Sequence, residues 1–227
     1  MRLENLVSKH ILKKKMDTET CILTRRSIRK FKKVGVDMEK IGKIIEAGRA
    51  APSSGNLQNW LFILVDDPGK KKAITEACFG QDWMQTAPLL IVVCAKPTEA
   101  QRFYGIRGER LYTIQNCAAA AENMLLMAHD QGLGACWVGA FDEEKVRDII
   151  GLFKEGRPQI ILAVGYADED PLAPLKLKFD NVAYWNKWWG RIKDINVFMG
   201  YNTAAKIRRL VDAGKSALEK ARKKIQK

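Results

Sequence analysis

Arg25-Arg26-Ser27-Ile28-Arg29 places three guanidinium groups and one hydroxyl within five residues. Guanidinium forks match phosphate oxygens in pairs, so arginines on both sides of a serine form a candidate phosphate grip. The other reading of the same residues is a solvated basic turn. Some twenty-five residues later, the stretch from Ala51 to Trp60 carries Pro52, Ser53, Ser54, Gly55, Asn56, Gln58 and Asn59. Its hydroxyl and amide groups can hydrogen-bond the edge of a polar heterocycle, and Gly55 permits close backbone approach. Taken alone, that stretch also reads as a loop ending a helix.

Other chemistries lack their residues. No Gly-rich loop ends in Gly-Lys-Ser/Thr, so ATP hydrolysis has no phosphate cradle. Gly132-Leu133-Gly134-Ala135-Cys136-Trp137 begins like a dinucleotide fingerprint but lacks the third glycine, and it follows a helical pattern instead of a strand. The two histidines, His10 and His129, stand apart from any nucleophile motif, which leaves a hydrolytic triad unsupported. Cys21, Cys78, Cys94, Cys117 and Cys136 form no CxxC pair; reduced, buried thiols are expected and a metal site is not. A redox or group-transfer enzyme built this way needs a bound cofactor to supply the reacting atoms.

The elements that must position these residues can be read from capping residues and periodicity. Leu3, Leu6, Val7 and Ile11 suggest a short amphipathic helix, and Asp17 or Thr18 starts a second that leads into Arg25. Asp37 caps a third, running to about Ala51, where Pro52 and Gly55 break it. Strands are expected at 60–65, 89–95, 135–138 and 159–164, with helices near 70–78, 108–131 and 142–150. The 108–131 helix, with Ala118–Ala121, Met124, Leu125 and Met127, is apolar nearly all round and should be buried. The alternation of helices and strands alone points to a parallel α/β sheet. The stretch between Cys94 and Gly108, with Arg102, Phe103, Tyr104 and Arg107, reads as a solvated loop or a gate.

At 227 residues, with 47% hydrophobic and 29% charged side chains, the chain can bury a core without disulfides. No apolar run approaches the roughly 20 residues of a membrane span, and charges interrupt the N-terminus before any signal-peptide core forms. A cytoplasmic location is therefore expected. The net charge of +13 is concentrated at the ends: residues 1–15 carry +4, 203–227 carry +7, and 16–202 only +2. A fold that reads nucleic acid carries its charge on the fold itself, so no nucleic-acid partner is expected. The tail sets Ile207, Leu210, Val211, Ala217, Leu218, Ala221 and Ile225 on one stripe of a basic amphipathic helix. Such a helix packs on its own chain or a twin subunit, or meets an anionic membrane surface or nucleic acid.

Four blocks in order carry a resemblance: RRSIRKF (25–31), APSSGNLQNW (51–60), GLGACWVGAFDEEKVRDIIG (132–151) and PQIILAVGYADEDP (158–171). Together they resemble the nitroreductase family of flavoproteins over about Cys21 to Trp188. The resemblance implies an α+β fold, a three-layer sandwich around a mostly antiparallel sheet, in an intertwined homodimer. It implies FMN as cofactor and NADH or NADPH as co-substrate, with a small acceptor such as a nitroaromatic or quinone reduced by a ping-pong scheme. Dehalogenation, oxidation or flavin breakdown on the same fold is the alternative chemistry, and a nucleic-acid or membrane-surface binder using the basic ends is a further one. The implied domain order is an N-terminal extension over 1–16, the FMN-binding domain over 17–190 and a basic C-terminal extension over 191–227.

Carried over position by position, the resemblance puts Arg25, Arg26, Ser27 and Arg29 on the FMN phosphate and ribityl chain. Pro52, Ser53, Ser54 and Asn56 would contact the flavin ring from the neighbouring subunit, with Gln58 close by. Gly139 and Ala140 match backbone that approaches the ring, Gln81 is a further candidate, and Lys176 or Lys178 would add a basic phosphate contact. The flavin is the reacting group, and no catalytic side chain is assigned. The 108–131 helix becomes the dimer core or an ordinary core helix within one chain. Where many relatives have Gln-Pro-Trp, this chain has Gln58-Asn59-Trp60; asparagine lacks proline's fixed φ, so a freer loop is expected.

Overall fold

The structure is a computed structural model that describes residues 16–193; the expected helix around Leu3–Ile11 and the basic tail helix lie outside the described residues. The chain divides into two units between Ala173 and Pro174. Among the described residues, the first holds six α-helices: α1 (Thr18–Thr24), α2 (Met38–Arg49), α3 (Pro68–Ala77), α4 (Pro97–Arg107), α5 (Thr113–Asp130) and α6 (Glu143–Ile149). Its described residues also form four strands: β1 (Trp60–Val65), β2 (Leu89–Ala95), β3 (Gly134–Val138) and β4 (Arg157–Gly165). The described part of the second unit is irregular apart from a 3₁₀ turn at Phe179–Asn181.

Aspartate side chains start three of the helices. Asp17, Asp67 and Asp142 accept the backbone N–H of Thr20, Lys70 and Lys145 at 2.9, 2.8 and 3.1 Å, satisfying donors that the first turn leaves free. Asp37 precedes α2 but makes no such bond; its carboxylate accepts the Tyr166 hydroxyl at 2.8 Å instead.

The sheet order is β1-β2-β4-β3, and every neighbouring pair is antiparallel. This overturns the parallel sheet that alternation alone suggested and agrees with the antiparallel sandwich. The reason lies in β2 and β4, which are nearly continuous apolar runs because both of their faces are covered, a pattern commonest in parallel sheets. Ile91, Val93, Leu162 and Val164 face α2 and α5 in one core cluster with Ile44, Met124 and Leu125. Leu90, Val92, Ile161 and Ala163 face the other way, into a cluster with Ile74, Met84 and Val146 from the α3 and α6 side. The period of two is present, but helices on both sides hide it from a hydropathy reading.

Two further expectations change. The stretch after Cys94 is a helix, α4, started by Pro97 at its first position, where proline's missing N–H does no harm. A π-helical turn, Gly108–Tyr112, then leads directly into α5. The second change concerns α5 itself, which is buried along one stripe only: Thr113, Asn116, Cys117, Ala120, Ala121, Met124, Leu125 and Ala128. Ala118, Ala119, Asn123 and Leu126 on its other side are half-buried, and Ile114 and Glu122 are exposed. No helix among the described residues is long and apolar enough to cross a membrane.

Candidate functional site

The Arg25–Arg29 segment leaves α1 and runs along the outer edge of β3, where Ser27 bridges Ala135 and the Ile28 N–H donates to the Ala135 carbonyl at 3.1 Å. Gly134 is required for this approach, since a Cβ there would stand 2.7 Å from Ile28 Cγ1. Glu169 fastens the far end, its Oε1 accepting the backbone N–H of both Arg29 and Lys30. The three arginines separate by role. Arg26 Nη1 donates to the carbonyls of Leu23 and Arg25, both at 2.8 Å, satisfying acceptors at the end of α1. Arg25 and Arg29 have no carboxylate partner among the described residues, and the Arg29 guanidinium lies 5.9 Å over the Trp83 ring.

Gln81, Gly139 and Ala140 join this edge. The Gln81 side-chain amide donates to the carbonyls of Cys78 and Ala140, each at 3.1 Å, which pins the exposed Gly139-Ala140 backbone beside the turn carrying Trp83. Cys136 registers the convergence. Burial raises its thiol pKa, while Arg29, the Ser27 hydroxyl and Arg25 pull it down. Arg25, Arg26, Ser27, Arg29 and Gln81 thus gather with Trp83 and the Gly139-Ala140 backbone on the β3 side.

Beside the grip, a cavity of about 280 Å³ is lined in part by Thr24, Arg25, Arg26, His129 and Glu169. His129 Nε2 and the Thr24 hydroxyl are hydrogen-bonded at 2.8 Å. Burial, then Arg25 and Arg26, hold the His129 pKa below its ordinary 6.5, with Asp130 opposing.

The second loop lies at the start of β1. Ser54–Asn56 forms a 3₁₀ turn in which Gly55, Asn56 and then Gln58 adopt φ of +53°, +56° and +49°. For non-glycine residues this region costs about 1–3 kcal/mol each and persists only where neighbours enforce it. Asn116 does so from the buried stripe of α5: its Oδ1 accepts the Ser54 N–H at 2.9 Å and its Nδ2 donates to Ser54 Oγ at 3.0 Å and Asn59 Oδ1 at 2.8 Å. Asn59, fully buried, donates to Thr113 Oγ1 at 3.0 Å and the Lys96 carbonyl at 3.2 Å, and Thr113 passes a bond on to the Gly108 carbonyl at 2.9 Å. Ser53 Oγ accepts the Gln58 N–H at 3.0 Å. Asn59 therefore ties the loop down through its side chain, correcting the expectation that losing proline frees it. Sequence reading missed Asn116 and Thr113; a polar residue on the apolar stripe of a buried helix was the available signal.

The structure does not bring this loop to the arginine segment within one chain. β1 and the Ser27 segment lie at opposite edges of the sheet, four strand spacings apart, or about 19 Å at the usual 4.8 Å per spacing. Gly139 and Ala140, following β3, are three spacings from β1, or about 14 Å. Lys176 and Lys178 belong to the second unit, on the extended run before its 3₁₀ turn.

The sequence profile of the Nitroreductase family matches residues 22–81 and 75–166. The chain belongs to the nitroreductase family. It is an oxidoreductase, as its relatives are. An NADH dehydrogenase of Thermus thermophilus is 32% identical over 197 residues, covering 75% of this chain and 96% of that one. An NADPH-dependent oxidoreductase of Staphylococcus aureus is 30% identical over 177 residues, 71% of this chain and 70% of the relative. Among solved structures, an FMN-dependent nitroreductase from Clostridium difficile superposes with a TM-score of 0.65 at 29% identity, covering 74% of this chain and 98% of that one.

Two outcomes are expected for this nitroreductase-family protein. Asn116→Ala strands the Ser54 N–H and Asn59 Oδ1, and should lower stability by about 1–3 kcal/mol in urea melts followed by circular dichroism. The second concerns pH. The folded pKa of His129 lies below its unfolded value, so protonation favours the unfolded chain, and its contribution to stability is lost as pH falls through the ordinary histidine range. His129→Gln should flatten the change in urea midpoint between about pH 7 and pH 5; an unaltered slope would show that His129 does not carry it.

Proposed function

We propose that this nitroreductase-family protein binds FMN and uses NADH or NADPH to reduce a small electron acceptor, such as a nitroaromatic or a quinone. The observation that carries the reading is the pair of guanidinium groups, Arg25 and Arg29, which flank Ser27 and have no carboxylate partner among the described residues, on the edge that also presents the Gly139-Ala140 backbone. These residues fit a phosphate-bearing ring: the forked cations and hydroxyl suit a phosphate dianion, and the exposed backbone and the Gln81 amide suit the polar edge of a heterocycle. The names of relatives in Thermus thermophilus, Staphylococcus aureus and Clostridium difficile support the nicotinamide and FMN assignments. Bound FMN supplies two-electron redox chemistry, taking electrons from NAD(P)H and passing them to the acceptor in a ping-pong sequence. The chain's part is to anchor the phosphate through Arg25, Ser27 and Arg29. Arg26 and Glu169 hold that segment in shape.

The working unit in this reading is a homodimer. A ring held near Ala140 is beyond reach of its own Ser53–Gln58 loop, about 14 Å away across the sheet, so the loop that covers it comes from a second copy. The half-buried side of α5, with Ala118, Ala119 and Leu126, supplies small and apolar residues for the contact. A hollow of about 970 Å³ alongside α2 and the end of α5, lined in part by Ala47, Ala50 and Met127, offers further surface.

The purified protein should show the visible band of oxidised flavin and lose it on anaerobic addition of NADH or NADPH. Arg25→Ala should weaken FMN binding about 10- to 100-fold, the scale of a charge-assisted hydrogen bond of about 1.5–3 kcal/mol. Arg26→Ala should leave FMN affinity nearly unchanged and lower stability instead, because its guanidinium already serves α1. A colourless protein that takes up no added FMN would overturn the reading, and equal loss of affinity in both variants would overturn the division of labour.

A further inference from the structure

The insert formed by α4 and the π-helical turn carries chemistry that the fold does not use. Its last turn rests on the Ser53–Gln58 loop: a Cβ on Gly55 would collide with the Tyr104 hydroxyl. From that contact an aromatic series runs outward. Tyr104 meets Tyr112 edge-on at 5.2 Å and Phe103 at 6.5 Å, and Arg107 lies 5.5 Å over Tyr112 while its Nε donates to Tyr112 Oη at 3.0 Å. Phe103 is 69% exposed, so it contributes little to the core of the chain that carries it.

The charges of the insert are unbalanced in the same place. Glu99 pairs with Lys96 and Glu109 accepts from Gln101, which leaves Arg102 and Arg107 without a carboxylate among the described residues. Both are exposed, and among the described residues Arg107 donates only through Nε, to Tyr112, leaving its two terminal nitrogens open to a ligand. Gly105 breaks the helix between Tyr104 and Arg107 with φ +57° and ψ −147°, a conformation that side chains disfavour. The displacement of Arg107 from the regular helical path is thus built into the backbone.

We propose that this insert favours, among aromatic acceptors, those bearing an anionic group. The ring lies against Phe103 and Tyr104, where offset or edge contacts between aromatics are favourable. The anion meets the Arg107 fork, with Arg102 as the second cation. The inference rests on the assignment of the Ser53–Gln58 loop to the flavin ring, because that loop is what the insert touches.

The test uses FMN-loaded protein and two ligands that are not reduced, benzoate and its neutral counterpart benzamide, with calorimetry reading affinity without turnover. Benzoate should bind at least about ten-fold more tightly, the scale of one charge-assisted hydrogen bond. Arg107→Ala should bring benzoate down to the benzamide level, Arg107→Lys should restore part of the difference, and Phe103→Ala should weaken both ligands alike. Equal affinities in the unmodified protein, or a preference that survives Arg102→Ala combined with Arg107→Ala, overturns the proposal. So does a raised KM for NADPH in Arg107→Ala with benzoate preference intact, because the arginine would then serve the nicotinamide phosphates. FMN content and bleaching by NADPH, measured on the same samples, separate the two levels. An absent preference with FMN bound and reducible removes the insert's role alone, whereas protein that cannot hold FMN removes the reading beneath it as well.

Discussion

Three desolvated polar side chains at the junction of β1 and α5 must satisfy one another, and much of the site geometry depends on how they do so. Asn59, Thr113 and Asn116 are almost wholly buried, and each exchanges hydrogen bonds with another of the three. An unpartnered amide at such a depth costs about 1–3 kcal/mol, so the set tolerates few alternative arrangements. Its outer bonds reach Ser54 in the loop, the Lys96 carbonyl before α4 and the Gly108 carbonyl in the π-helical turn. One buried cluster therefore sets the left-handed turn at Asn56 and the position of the insert above it.

The sheet supplies the opposite constraint, which is separation. β2 and β4 occupy its centre with both faces covered, so residues that contact a ligand are left to the edges and to the segments leaving them. At the β3 edge the available groups are cationic and backbone: Arg25, Ser27, Arg29 and the Gly139-Ala140 peptide. At the β1 edge they are hydroxyls, amides and aromatics. The two sets are complementary in chemistry and about 14–19 Å apart in one chain. Two copies related by a two-fold axis can bring each set against the other twice, because an isologous contact pairs unlike patches reciprocally.

Much of this was legible in the residues. Helix starts at Asp17 and Asp142 and the strands at Trp60 and Leu89 follow from capping and apolar runs, which are local properties. The antiparallel order was not legible from pattern alone, since double-sided burial erases the alternation in β2 and β4 that would have announced it; the four motif blocks were needed. The distinction between Arg26 and its neighbours was also hidden. Adjacent arginines look alike in sequence, and only the end of α1, with carbonyls in need of donors, separates one from the others. Asn59 misled for a related reason. Comparison with proline draws attention to the backbone, whereas its effect comes from a side chain bonded to residues 37 and 54 positions away.

The cysteines bear on where electrons can be held. An oxidoreductase can use thiols, but the attacking species is the thiolate, and two sulfurs must meet. Burial pushes Cys78 up to about 11 and Cys94 and Cys117 to about 12, and it raises Cys21 and Cys136 as well. All five are free and buried. The Cys117 thiol is directed at the Cys94 carbonyl, at 3.9 Å, with both residues fully buried. At neutral pH these groups remain protonated and packed, behaving as small apolar side chains. In the proposed reading the redox chemistry of this chain lies with a ring held at the β3 edge, and these protonated, packed thiols take no part in it.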